Sequence, residues 1–144
     1  MCHAYLKAKN YRLNTYTYIG IINRKEVMSK RELFWVASAK KDLKMMPDDV
    51  QDIFGFALYQ AQLGQKHIQA KPMKGFSSAN VLEVIENSEG NTYRAVYTVR
   101  YKNAVYVLHC LQKKSSSGIA TPKPDMRIIH ERLRSAELHS MGVQ

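Results

Sequence analysis

Thr92-Tyr93-Arg94-Ala95-Val96-Tyr97-Thr98-Val99-Arg100 is the stretch on which the fold turns. It is rich in β-branched and aromatic residues. Its alternation sets Arg94, Val96, Thr98 and Arg100 on one face and Tyr93, Ala95, Tyr97 and Val99 on the other, the period of two that a strand requires. Working outward, a second apolar run over 81–86 lies beyond the turn-rich Asn87-Ser88-Glu89-Gly90-Asn91, and a third over 104–112 lies beyond Tyr101-Lys102-Asn103. Links this short leave no room for a crossover, so the three runs predict an antiparallel meander.

Upstream, Leu33-Phe34-Trp35-Val36-Ala37 reads as a short strand, and Ser38 as the N-cap of a short basic helix over 39–45. Pro47 restarts the helical pattern, with Asp48 and Asp49 complementing the helix dipole in the first turn. Val50, Ile53, Phe54, Ala57, Leu58 and Ala61 then form one apolar stripe, and Gly64 stops the helix. Downstream, Thr121-Pro122 caps a last helix that carries Met126, Ile129, Leu133 and Ala136 on one side. The expected class is α+β in the order βααβββα, with an N-terminal helical hairpin packed on a small antiparallel sheet and a C-terminal helix.

A chain of 144 residues, 45% hydrophobic and 24% charged, suits one globular domain and excludes collagen, coiled coil and wholesale disorder. No apolar run approaches the roughly 20 residues of a membrane-spanning helix, and the N-terminus lacks a secretory signal. A cytoplasmic location is expected, with Cys2 and Cys110 as reduced thiols. Met28-Ser29-Lys30-Arg31-Glu32 reads like a natural start, which would make residues 1–27 an N-terminal extension and 28–144 the domain.

The formal net charge is +10, which points to a polyanionic partner. Seven of the 22 basic residues but only one of the 12 acids fall within residues 1–31, so the rest of the chain is mildly basic and the positions of its cations decide the matter. Several chemistries fall away. Glu83 and Glu86 stand three apart on one strand and point to opposite faces, unlike a glycosidase pair. His109 and Cys110 diverge in the same way, and without other ligand-spaced Cys or His no metal site is expected. Neither a phosphate-binding glycine loop nor a serine-hydrolase elbow is present.

What remains is a cationic set. Arg94 and Arg100 on one strand face are either surface arginines paired with helix acids or a pair spaced for phosphates. As a strand-surface residue, Arg94 should cost under about 1 kcal/mol when removed. Lys71, Lys74, Lys113 and Lys114 gather about the same sheet. His109, on an expected face with Val105, Val107 and Leu111, is either a hydrogen-bonded core residue or a proton-transfer group. Tyr93, Tyr97 and Tyr106 are either core or stacking platforms for bases, and Ser115–Ser117 either a solvated loop or phosphate donors.

The series Lys71-Pro72-Met73-Lys74-Gly75-Phe76, Val81-Leu82-Glu83-Val84, Thr92-Tyr93-Arg94-Ala95-Val96-Tyr97-Thr98-Val99, Val105-Tyr106-Val107-Leu108-His109, Gln112-Lys113-Lys114-Ser115 and Gly118-Ile119-Ala120-Thr121-Pro122-Lys123 resembles, in matching order from about Met28 to Leu138, the phage-derived, HigB-like branch of the RelE/ParE toxin superfamily. The resemblance implies the toxin of a type II toxin–antitoxin system that inhibits translation by metal-independent cleavage of mRNA on the ribosome. It implies no cofactor, and as partner a cognate antitoxin of helix-turn-helix type. By position, Arg94 resembles the phosphate-binding arginine of the family, and Lys74, Lys113 and Lys114 its lysines. The expected catalytic set is Arg94, Lys74, Lys113 and His109, with Lys71, Arg100, Lys114 and Tyr97 binding RNA. The competing readings are a ParE-like poison that binds gyrase without cleaving, and a non-catalytic phage-derived binding module.

Overall fold

The computed structural model describes residues 29–76, 80–113 and 120–142; the proposed extension over 1–27 lies outside them. The fold is α+β, with three helices and five strands in the described residues. In chain order these are β1 (Glu32–Trp35), α1 (Ala39–Lys44), α2 (Asp48–Gln62), β2 (Lys71–Pro72), β3 (Val81–Ser88), β4 (Asn91–Tyr101), β5 (Ala104–Lys113) and α3 (Lys123–Ser140). The strands are arranged β1-β5-β4-β3-β2.

The meander over β3, β4 and β5 is antiparallel as expected. Its first turn is two residues long, and Glu89 (φ 49°) and Gly90 (φ 76°) both take positive φ, which matches the right-handed twist of the paired strands. The sheet as a whole departs from the expected order in two ways. β1 runs parallel to β5, with Leu33 beside Val105 and Trp35 beside Val107, so the sheet is mixed. Short links dictate antiparallel pairing only for strands they join, and β1 returns to the sheet through two helices. The second departure is β2, whose two residues pair with Glu83 and Leu82. A strand this short has no period to read, and Pro72 is tolerated because β2 is an edge.

One face of the sheet takes the helical hairpin. Val50, Phe54, Ala57, Leu58 and Ala61 of α2 are buried against Val84, Tyr93, Ala95, Tyr97, Val105 and Val107. The other face takes α3, where Ile129 and Ala136 are buried, and Met126 and Leu133 partly so, against Val81, Val96, Tyr106 and Leu108. The face that carries Arg94 is therefore covered by a helix. No helix among the described residues is long and apolar enough to cross a membrane.

The helix starts also differ from expectation. Pro47 and Pro122 are themselves the N-caps of α2 and α3, and Ser38 stands at the N-cap of α1 without bonding its backbone. The hydroxyls of Ser38 and Thr121 are engaged elsewhere, as follows.

Candidate functional site

Arg94 does not lie on the surface. The residue is only 4% exposed, beneath the segment that leads into α3. Its Nη1 donates to Glu83 Oε2 at 2.8 Å and to Thr121 Oγ1 at 3.1 Å. Glu83 is opposite Val96 in the register, which makes it the diagonal neighbour of Arg94 on the same face. A buried guanidinium requires a counter-charge, and strand pairing provides one. On the solvent side, Lys71 Nζ is 3.8 Å from Glu83 Oε1 with its own side chain 53% exposed.

Lys113 is also buried, its ammonium donating to the Ala120 carbonyl at 2.7 Å. Arg94 and Lys113 thus tie two strands to consecutive residues at the start of α3. Lys114, like Ser115–Ser117, lies outside the described residues. Lys74 is exposed in the turn after β2. That turn runs beside α3, because a Cβ at Gly75 would be 3.4 Å from Met126 Cε and Phe76 stacks on His130 at 4.2 Å. Lys123 and Arg127, on the first turns of α3, are exposed as well. Arg100 stands apart near the far end of α3, half-exposed and 3.7 Å from Glu137. The exposed cations Lys71, Lys74, Lys123 and Arg127 therefore lie at the β2 edge and the start of α3, with Arg94 and Lys113 behind them. The exposed cations put positive charge at this edge, which can attract a polyanion, while Arg94 Nη1 and Lys113 Nζ are engaged within the fold.

His109 is not on the face expected for it. A bulge intervenes: Val96 is opposite His109 but Tyr97 is opposite Val107, which leaves Leu108 as the extra residue. The alternation breaks there, so Val105 and Val107 pack toward the helical hairpin while His109 turns to α3. Its Nε2 lies 2.8 Å from Asp125 Oδ1 and its Nδ1 3.1 Å from Arg132 Nη1. Both ring nitrogens are spent within the fold, which leaves neither facing a substrate. Arg132 also donates to the Leu108 carbonyl at 2.9 Å and to Ser38 Oγ at 2.8 Å, and Ser38 donates in turn to Asp42 at 2.7 Å. This chain of contacts joins α1, β5 and α3.

Tyr97 is buried under the hairpin, beyond reach of a base, and its hydroxyl has no hydrogen-bond partner among the described residues. Burial pushes that hydroxyl up to about 12 from 10.0. Tyr93 and Tyr106 are core residues too. Burial likewise raises the Cys110 thiol, which is a free cysteine. Among the described residues no group of three or more His, Cys, Asp or Glu is placed to hold a metal ion.

Three participants escaped the sequence reading. The sequence pairs Glu83 only with Glu86, and its place two residues off Arg94 becomes visible once β3 and β4 are set in register. Arg132 and Ser38 are 94 residues apart, and no local pattern links them.

The family model of the phage-derived protein Gp49-like matches residues 41–134. No curated protein and no solved structure matches the chain. The matched span begins in α1, ends within α3 and contains Lys71, Lys74, Glu83, Arg94, His109, Lys113 and Arg132. With well over half of the sequence matched by that model, the chain belongs to the phage-derived Gp49-like family.

Proposed function

We propose that this protein is the toxin of a type II toxin–antitoxin pair, of the HigB-like branch of the RelE/ParE superfamily, and that it stops translation by cutting mRNA on the ribosome. The observation that carries the reading is membership of the Gp49-like family over a span that holds the whole described cationic edge. In the reaction proposed, a ribose 2′-hydroxyl attacks the adjacent phosphorus. The new 2′-O–P bond forms as the P–O5′ bond breaks, leaving a 2′,3′-cyclic phosphate and a 5′-hydroxyl. A base must take the 2′ proton, and an acid must supply one to the departing oxygen. No metal enters this scheme.

Lys74, exposed at the edge and matching by position one of the lysines of the family it resembles, meets the reacting phosphodiester in this reading. Lys113 supplies positive charge behind it, where low dielectric strengthens its effect on a pentavalent phosphorane, and Arg94, whose charge Glu83 balances in the resting fold, contributes by binding the phosphate itself. Lys71, Arg100 and Lys114 serve as outer contacts to the RNA backbone. His109 and Tyr97 have no part in the reaction, since their polar atoms point into the fold. The antitoxin, a helix-turn-helix protein in this reading, neutralises the toxin by covering the basic edge, so the complex should lose salt-dependent RNA affinity.

The test is induced expression without antitoxin, with incorporation of labelled amino acids and thymidine followed in parallel. Amino-acid incorporation should fall first. An earlier fall in thymidine incorporation would favour a gyrase poison, and a lack of toxicity would favour a binding module.

A further inference from the structure

The Glu83 carboxylate lies between two cations. Its Oε2 accepts from Arg94 Nη1 at 2.8 Å, and its Oε1 faces Lys71 Nζ at 3.8 Å. Thr121 Oγ1, 3.1 Å from the same Nη1, adds a hydroxyl at the rim. A guanidinium, an ammonium and a hydroxyl around one planar anion are also the groups that recognise a phosphate oxygen pair. The inner wall is closed by burial of Arg94, whereas the Lys71 side is open to solvent.

We propose that Glu83 is the internal occupant of an oxyanion site, so that a phosphate reaches Arg94 and Lys71 by displacing the Glu83 carboxylate. The inference rests on the reading of Arg94 as a phosphate-binding residue and adds the group that guards it. A buried arginine needs an anion in every state. Exchange of one anion for another keeps that requirement met, while simple opening of the pair would not. The carboxylate thereby sets a threshold: an isolated phosphate competes poorly with a tethered carboxylate, whereas a polyanion held also by Lys74 competes from a high local concentration.

The experiment uses the full chain and inorganic phosphate. Thermal unfolding of wild type, Glu83→Gln and Glu83→Asp is followed in phosphate and in chloride of equal ionic strength. Glu83→Gln should bind phosphate on the order of tenfold more tightly than wild type, with Glu83→Asp between them. Adding Arg94→Met to Glu83→Gln should remove the gain. If Glu83→Gln folds only when phosphate is present, rescue by phosphate and not by chloride supports the proposal equally. The proposal is overturned if Glu83→Gln is folded but indifferent to phosphate, or unfolded and not rescued by it. A short single-stranded RNA distinguishes the sources of the phosphate: a gain for both ligands assigns the site to a phosphodiester, and a gain for phosphate alone assigns it to a free oxyanion. A gain for RNA alone contradicts displacement at Arg94. An absent phosphate effect beside intact wild-type toxicity would defeat this inference and leave the proposed function standing. A clear effect in a non-toxic protein would do the reverse.

Discussion

Arg132 Nη1 lies 3.1 Å from His109 Nδ1, and since a guanidinium has no lone pair to offer, the histidine nitrogen is the acceptor. The ring proton is then on Nε2, where it is donated to Asp125 Oδ1 at 2.8 Å. This fixes the tautomer and makes His109 a structural joint between β5 and α3. His109→Gln should destabilise the fold by about 2 kcal/mol, the scale of losing buried hydrogen bonds to charged groups, while leaving toxicity measurable. Arg132→Met should cost more, because Leu108, Ser38 and His109 all lose their donor. Urea unfolding beside a growth assay checks both. A folded, fully stable and non-toxic His109→Gln protein would restore a catalytic role to the ring.

Removal of Arg94 should be far costlier than a strand-surface position implies. Arg94→Ala leaves the Glu83 carboxylate in a half-closed site with, among the described residues, only the exposed Lys71 as an ion-pair partner, and breaking a buried pair in this way costs about 3–5 kcal/mol. Arg94→Ala with Glu83→Ala should recover part of the loss, since no uncompensated charge remains. Denaturant midpoints of the four proteins in the cycle give the coupling directly.

These two residues also show how far the sequence can be read. The meander, the α2 stripe and the apolar side of α3 were legible because each is a local period that the core then buries. The parallel β1, the two-residue β2 and the bulge at Leu108 were not, since they arise from pairing between distant segments or from a single inserted residue. For the same reason the cations were found but their burial was not: alternation put Arg94 on the correct face and could not show that α3 covers that face. The partners of Glu83, Ser38 and Arg132 appear only through contacts made by the folded chain.

Tyr97 gives a prediction in alkaline solution. Burial raises its pKa from 10.0 to about 12, so its neutral form contributes stability that is complete below pH 10 and lost as pH rises through 12. Tyr97→Phe should flatten this alkaline loss without abolishing it, because burial raises the Cys110 thiol as well. At neutral pH the same change should be neutral or stabilising by about 1 kcal/mol, as it removes a buried hydroxyl without a described partner. Melting temperature against pH for both proteins is the check, and a strongly destabilised Tyr97→Phe protein would show that the hydroxyl is bonded.

Gly75 sets the path of the turn that presents Lys74. It takes φ of +91°, and a Cβ there would approach Met126 Cε at 3.4 Å. The contact is with the flexible end of a side chain, so the backbone conformation is the larger obstacle. Gly75→Ala should cost about 1–2 kcal/mol and reduce toxicity through misplacement of Lys74. Met126→Ala, which relieves the contact alone, should not rescue it in a growth assay combined with thermal unfolding.

Lys74 offers the cleanest route to the reaction itself, because it is exposed and its removal should leave stability within about 0.5 kcal/mol. The decisive measurement is mapping of RNA ends in a reconstituted translation reaction on a defined mRNA, with wild type and Lys74→Ala added at equal concentration. Wild type should produce new fragments with 5′-hydroxyl and 2′,3′-cyclic phosphate ends. Folded Lys74→Ala should yield them at a rate lower by about a hundredfold, the scale of one lost proton-transfer or charge-stabilising group. An mRNA left intact by wild-type protein that nevertheless arrests growth would contradict the account.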